Sequence, residues 1–150
     1  MKTLILGYGN PGRGDDGLGP ELVARLEKHA AAGVTLLAAL QLQPEHVFDL
    51  ADHDRVLLVD AGLATPAPFI WERLQPARDA GVFTHALGPS ALLALYREVL
   101  GRTPPATWLV TIRGERFGLG EPLSAPARRH LAQALAAVTA WLADAGGRDQ

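Results

Sequence analysis

The sequence predicts an α/β fold: a single three-layer domain with a mostly parallel, twisted sheet of about five strands and helices on both faces. Three observations carry that expectation. Short apolar runs of strand length alternate with stretches of helical period along the chain. Glycine, proline or aspartate punctuates most changes of period. No repeat or linker interrupts residues 1–150, and at 48% hydrophobic residues the chain can build one core.

The elements follow in order. Thr3–Leu6 is a short apolar run stopped by Gly7, as a buried strand would be. Pro20–Ala32 places Leu22, Val23, Leu26 and Ala30 at a helical period and ends before Gly33. Val34–Leu37 predicts the second strand, and Pro44–Ala51 a short helix with its proline in the first turn. Arg55–Val59 (RVLLV) is the most strand-like run and ends at Asp60. Pro68–Arg73 predicts a further strand, and Ser90 is expected to cap a helix through Leu100. Thr107–Ile112 predicts another buried strand and Ala125–Ala145 a closing helix, with Gly146–Gln150 a frayed tail.

Composition excludes several classes of function. A net charge of −2 without a basic stripe argues against nucleic acid and anionic membrane as partners. With no cysteine there is no disulfide, thiolate metal site or cysteine nucleophile. The apolar run after Met1 is too short for a signal peptide, and no segment approaches the roughly 18–20 residues of a membrane span. A cytoplasmic protein is expected.

In such a fold ligands collect beyond the carboxyl ends of the strands. There the sequence places GYGNPGRGDDGLG (Gly7–Gly19), Asp60 and the segment Thr84–Pro89. Gly7, Gly9 and Gly12 satisfy a dinucleotide-loop spacing, but Asp15 and Asp16 stand where a phosphate needs helix-end amides. A like-charge contact at about 4 Å costs roughly 4 kcal/mol at an effective dielectric near 20. No acidic residue follows the second strand to hold a ribose. The glycines are instead expected to form a tight turn with clearance for a bulky partner chain. Asp15 is expected to shape the helix start, where an aspartate cap contributes about 0.5–2 kcal/mol, leaving Asp16 for the cleft.

A carboxylate at the end of an apolar strand must be bonded, paired or metal-bound, which singles out Asp60. Asp16, Asp60 and His85 form an oxygen/oxygen/nitrogen set suited to a borderline divalent cation with positions open for water or substrate. His29 and His130 belong to helices, and His53 to the acidic ADHD turn, which is expected to be solvated; His46 is near enough in sequence to line the cleft. A serine triad is disfavoured, because Ser90 and Ser124 both lie outside G-x-S-x-G.

These residues resemble the hydrogenase maturation endopeptidases, which remove a C-terminal extension from the large subunit of a nickel–iron hydrogenase. The resemblance runs through LILGYGNPGRGDDGLG (Leu4–Gly19), LLVDAG (Leu57–Gly62) and THALGPSALL (Thr84–Leu93), in that order and over nearly the whole chain. It implies a peptidase of aspartyl or metal-dependent type, with Asp16, Asp60 and His85 both catalytic and metal-binding. It also implies nickel carried by the immature substrate, with zinc or cadmium able to occupy the site in vitro and no organic cofactor. The implied partner is a large-subunit precursor, and the protease itself is expected as a monomer or weak homodimer. Relatives commonly carry glutamate at the Asp16 position, so this side chain is one methylene shorter. QLQPEHVFDLADHDRVLLVDA and TIRGERFGLGEPLS resemble the subgroup serving cytoplasmic NAD-linked hydrogenases.

Two other classes compete. GYGNPG is similar to the opening of peptidyl-tRNA hydrolases, but RGDDGLG replaces the stretch that supplies their catalytic histidine. A non-enzymatic module that senses a divalent ion or nucleotide through Gly7–Asp16 is the other.

Overall fold

The expected alternation is present in full. A computed structural model describes residues 1–29, 31–78 and 87–144. It contains β1 (Thr3–Tyr8), a 3-10 turn (Gly14–Gly17), α1 (Leu18–Glu27), β2 (Val34–Ala39), α2 (His46–Ala51), β3 (Arg55–Gly62), β4 (Phe69–Arg73), α3 (Pro89–Leu100), β5 (Ala106–Arg113) and α4 (Ala125–Ala143). The strands form one sheet in the order β2-β1-β3-β5-β4.

β1 pairs in parallel with β2 (Ile5↔Leu36) and with β3 (Ile5↔Leu57), and β3 pairs in parallel with β5 (Leu57↔Trp108). Among the described residues only β4, at the sheet edge, runs antiparallel (Trp71↔Val110). The chain therefore leaves β1 toward β2 on one side and returns to β3 on the other. In open α/β sheets that reversal opens a crevice beyond the carboxyl ends of the two strands.

Strand alternation divides the core. Ile5, Leu57, Val59 and Val110 pack against α1 and α4, through Leu22, Leu26, Leu131 and Val138. Leu4, Leu6, Val56 and Leu58 pack against α2 and α3, through Val47, Leu50, Leu92 and Tyr96. Each fully buried leucine contributes about 1.5–3 kcal/mol, so the sheet is held rigidly from both faces. At the amino edge Arg55 is buried, donates to Thr3 Oγ1 at 2.8 Å and lies 4.0 Å over the Trp141 ring.

Several local expectations are corrected. α1 begins at Leu18 and ends at Glu27, short of Ala32, so His29 lies beyond the helix and is exposed. Ser90 is not a cap: Gly88 occupies the N-cap of α3, and the Ser90 carbonyl accepts the Ala77 amide at 3.1 Å. Asp60 lies within β3, which continues to Gly62 because Ala61 and Gly62 stay in register with β5. α4 ends at Ala143, and residues 146–150 lie outside the described residues.

Candidate active site

The crevice between β1 and β3 is built by close backbone packing. Gly19, in the first turn of α1, lies so near the strands that a Cβ there would be 2.5 Å from the Val59 carbonyl and 2.8 Å from the Tyr8 backbone. A Cβ on Gly7 would meet the Gly19 carbonyl, and one on Gly9, whose φ is +140°, would meet the Asp16 carbonyl. Gly7, Gly9 and Gly19 thus clear space for the chain's own 3-10 turn and helix.

This turn presents Asp16 half-buried, with one carboxylate oxygen accepting the Asn10 amide at 2.8 Å. Asp60 comes to the same place from β3. Its Oδ1 accepts the Ala61 amide at 2.7 Å, and its carboxyl is pushed up to about 6. Burial is the main cause; the Ala61 amide and Tyr8 oppose it, and the negative charge of Asp16 adds to it. The structure therefore brings Asp16 and Asp60 within electrostatic reach of each other. His85 falls in 79–86, outside the described residues. Among the described residues no three histidine, aspartate or glutamate side chains cluster tightly enough to hold a metal ion.

The carboxylate pair nonetheless has the character of a cation or proton site. Each carboxylate takes a backbone amide on one oxygen, Asn10 on Asp16 Oδ2 and Ala61 on Asp60 Oδ1, and the Tyr8 hydroxyl faces Asp60. Two acids facing one crevice, one of them mostly buried, favour anything that neutralises them. Oxygen donors of this kind suit a divalent cation, and a histidine would complete a mixed set.

Tyr8 was not singled out by sequence. Its hydroxyl is buried at the end of β1 and faces Asp60 without a partner of full hydrogen-bond geometry. Burial and the Asp60 charge both push the phenol up, so it stays protonated. Its place as the last residue of an apolar strand, before Gly9, was the available signal.

Asp15 does not cap α1, whose N-cap, Gly17, has no side-chain bond. It is fully buried and reaches the loop between β5 and α4 instead. It accepts from the amides of Glu115 (2.7 Å), Arg116 (2.9 Å) and Ser124 (2.7 Å), and from the Ser124 hydroxyl (2.7 Å). Burial alone would raise this carboxyl, but the bonds from Arg116, Glu115 and Ser124 outweigh it and hold it below the usual range. Ser124 in turn caps α4, accepting the Ala127 amide at 3.2 Å.

The other histidines stand apart from the pair's hydrogen bonds. His53 pairs with the Asp49 carbonyl and Thr35 Oγ1, so the ADHD turn is more ordered than a merely solvated one. His130 meets the Arg113 carbonyl at 3.1 Å, and His46 Nδ1 accepts the Gln43 amide at 2.8 Å.

No family model matches the sequence. No curated protein matches it either. Solved structures do. The hydrogenase maturating endopeptidase HybD from E. coli is 26% identical with a TM-score of 0.77, covering 97% of this chain and 94% of its own. An endopeptidase from Escherichia coli solved in solution is 25% identical with a TM-score of 0.78, again covering 97% and 94%. The [NiFe] hydrogenase maturation protease HycI from Thermococcus kodakarensis KOD1 shares the fold, with a TM-score of 0.75 at 23% identity, over 95% and 93%. The resemblance read from the three motifs is thereby borne out: the structural neighbours are hydrogenase maturation peptidases, and the fold is theirs.

Proposed function

We propose that this chain is an endopeptidase that removes the C-terminal extension of a nickel-loaded nickel–iron hydrogenase large-subunit precursor in the cytoplasm. The observation that carries the reading is the meeting of Asp16 and Asp60 at the β1/β3 crevice, within the fold of the maturation peptidases. Hydrolysis adds water across one peptide bond, leaving a carboxylate on the mature subunit and an amine on the released extension. Asp16 and Asp60, with His85 as the nitrogen donor, meet the nickel that the precursor carries, so that only a loaded precursor is seated. Zinc or cadmium suits the same donors in vitro. Asp60, with its carboxyl near 6, also has the proton affinity of a general base at neutral pH.

The overall acidity of the chain and the carboxylates in the crevice disfavour the peptidyl-tRNA alternative, since a tRNA backbone would be repelled there. The test is mass spectrometry of a large-subunit precursor incubated with the protein, with and without nickel. Loss of the extension from the loaded form alone is expected. An intact loaded precursor, or turnover of peptidyl-tRNA, overturns the reading.

A further inference from the structure

The two aspartates of the opening turn are adjacent in sequence but serve different parts of the molecule. Gly14–Gly17 is a 3-10 turn. With about three residues per revolution, consecutive side chains there point about 120° apart. Asp15 is directed into the loop between β5 and α4 and is fully buried in it, while Asp16 stands half-buried at the crevice.

The turn is fixed from the Asp15 side. Asp16 accepts the Asn10 amide, a bond within the same loop that ties the turn to nothing beyond it. The Asp15 carboxylate instead gathers four donors from across the chain: the Glu115 and Arg116 amides and the Ser124 hydroxyl on Oδ2, and the Ser124 amide on Oδ1. Backbone bonds reinforce the junction, with the Asp15 amide donating to the Arg116 carbonyl at 2.7 Å and the Gly120 amide to the Gly12 carbonyl at 2.8 Å. The two segments are packed without clearance. A Cβ on Gly114 would stand 2.9 Å from Asp15 Cβ, and one on Gly14, whose φ is +56°, would meet the Arg116 carbonyl. Four donors converging on two oxygens require a carboxylate, because the nitrogen of an amide side chain would face one of them as a second donor.

We propose that Asp15 is a positioning residue for the candidate site: by locking the 3-10 turn onto the β5–α4 loop, it sets where the Asp16 carboxylate stands relative to Asp60. The inference rests on the peptidase reading above and adds what places one of its two acids. Consecutive Cα atoms are about 3.8 Å apart, so a turn released by Asp15 carries Asp16 with it. A misplacement of about 1 Å at a reacting group costs about a hundredfold in rate, so the loss falls on kcat more than on KM.

The Asn10 amide reports where the Asp16 carboxylate stands, because it donates to it at 2.8 Å, and its proton resonance is read without any turnover. The full-length protein is measured as wild type, Asp15→Asn, Ser124→Ala and Asp16→Ala. Leu50→Ala, fully buried on α2 at the other face of the sheet, is the control for stability loss alone. All are compared at a temperature where circular dichroism shows them folded. Asp15→Asn is expected to move the Asn10 resonance most of the way to its position in Asp16→Ala. Ser124→Ala is expected to move it in the same direction by less, and Leu50→Ala to leave it in place. On loaded precursor, Asp15→Asn is expected to lower kcat about a hundredfold with KM little changed, while Leu50→Ala keeps the wild-type rate. An unmoved Asn10 resonance in Asp15→Asn, or in Ser124→Ala where Asp15→Asn does not fold, overturns the proposal. So does a fall in kcat no greater than that of Leu50→Ala. If the wild type leaves loaded precursor intact, the peptidase reading fails and the Asn10 resonance alone decides the placement.

Discussion

The Asp15 carboxylate grips Ser124 twice, taking its amide through one oxygen and its hydroxyl through the other, both at 2.7 Å. The bond pair spans 109 residues of sequence and ties the turn that carries Asp16 to the start of α4. Replacing the fully buried Asp15 by alanine leaves three amides and the Ser124 hydroxyl without their acceptor. A loss of about 3–5 kcal/mol is expected, and Asp15→Asn should lose nearly as much because its amide group cannot accept on both sides. Chemical denaturation measures this.

Asp15 and Asp60 respond to pH with opposite sign. Asp15 is held below the usual carboxylate range, so its contribution is present above the unfolded value of 3.8 and disappears as pH falls through its folded value. Asp60 is held near 6, so folding takes up its proton more tightly than the unfolded chain does. Its contribution is full below 3.8 and is lost as pH rises through about 6. Asp60→Asn should therefore be more stable than the wild type at pH 8, by no more than about 3 kcal/mol, and indistinguishable below pH 3.8. Thermal melts across that range check the crossover.

Tyr8→Phe removes a buried hydroxyl that has no partner of full geometry, so a stability change below about 1 kcal/mol is expected. Tyr8 lowers the Asp60 carboxyl, so its loss should raise that group further above 6. Carbon-13 titration of the Asp60 carboxyl reads the shift.

Gly19→Ala reverses a familiar rule. Alanine inside a helix ordinarily gains about 0.5–1 kcal/mol over glycine, but here its Cβ would be 2.5 Å from the Val59 carbonyl. A net destabilisation of about 1–3 kcal/mol is expected, together with loss of processing as α1 is pushed off the strands. Calorimetric melting and the precursor assay measure the two effects.

Asp16→Ala, Asp60→Ala and His85→Ala should each abolish cleavage of a loaded precursor while the variants remain folded by circular dichroism. Normal cleavage by all three would remove the site assignment.

Much of this molecule was legible before folding. The buried strands announced themselves because side chains covered on both faces must be apolar throughout, and RVLLV and TWLVTI are. Asp60 stood out because an acid at the end of such a run needs a partner, and Asp16 because two adjacent acids interrupt a phosphate loop. What escaped was everything that depends on distance across the chain. Ser90 looked like a cap, but a cap is decided by backbone angles, and Gly88 has the extended conformation there. Asp15 looked local because its bonds reach residues a hundred positions away. Tyr8 became part of the site only when β3 was laid beside β1 and Asp60 arrived opposite it. Sequence by itself determined which residues carry charge and which segments must be buried, since these follow from side-chain chemistry and period. Tertiary structure alone decided which acid faces the crevice and which is spent holding a loop, because that depends on where the nearest unpaired backbone amides come to rest.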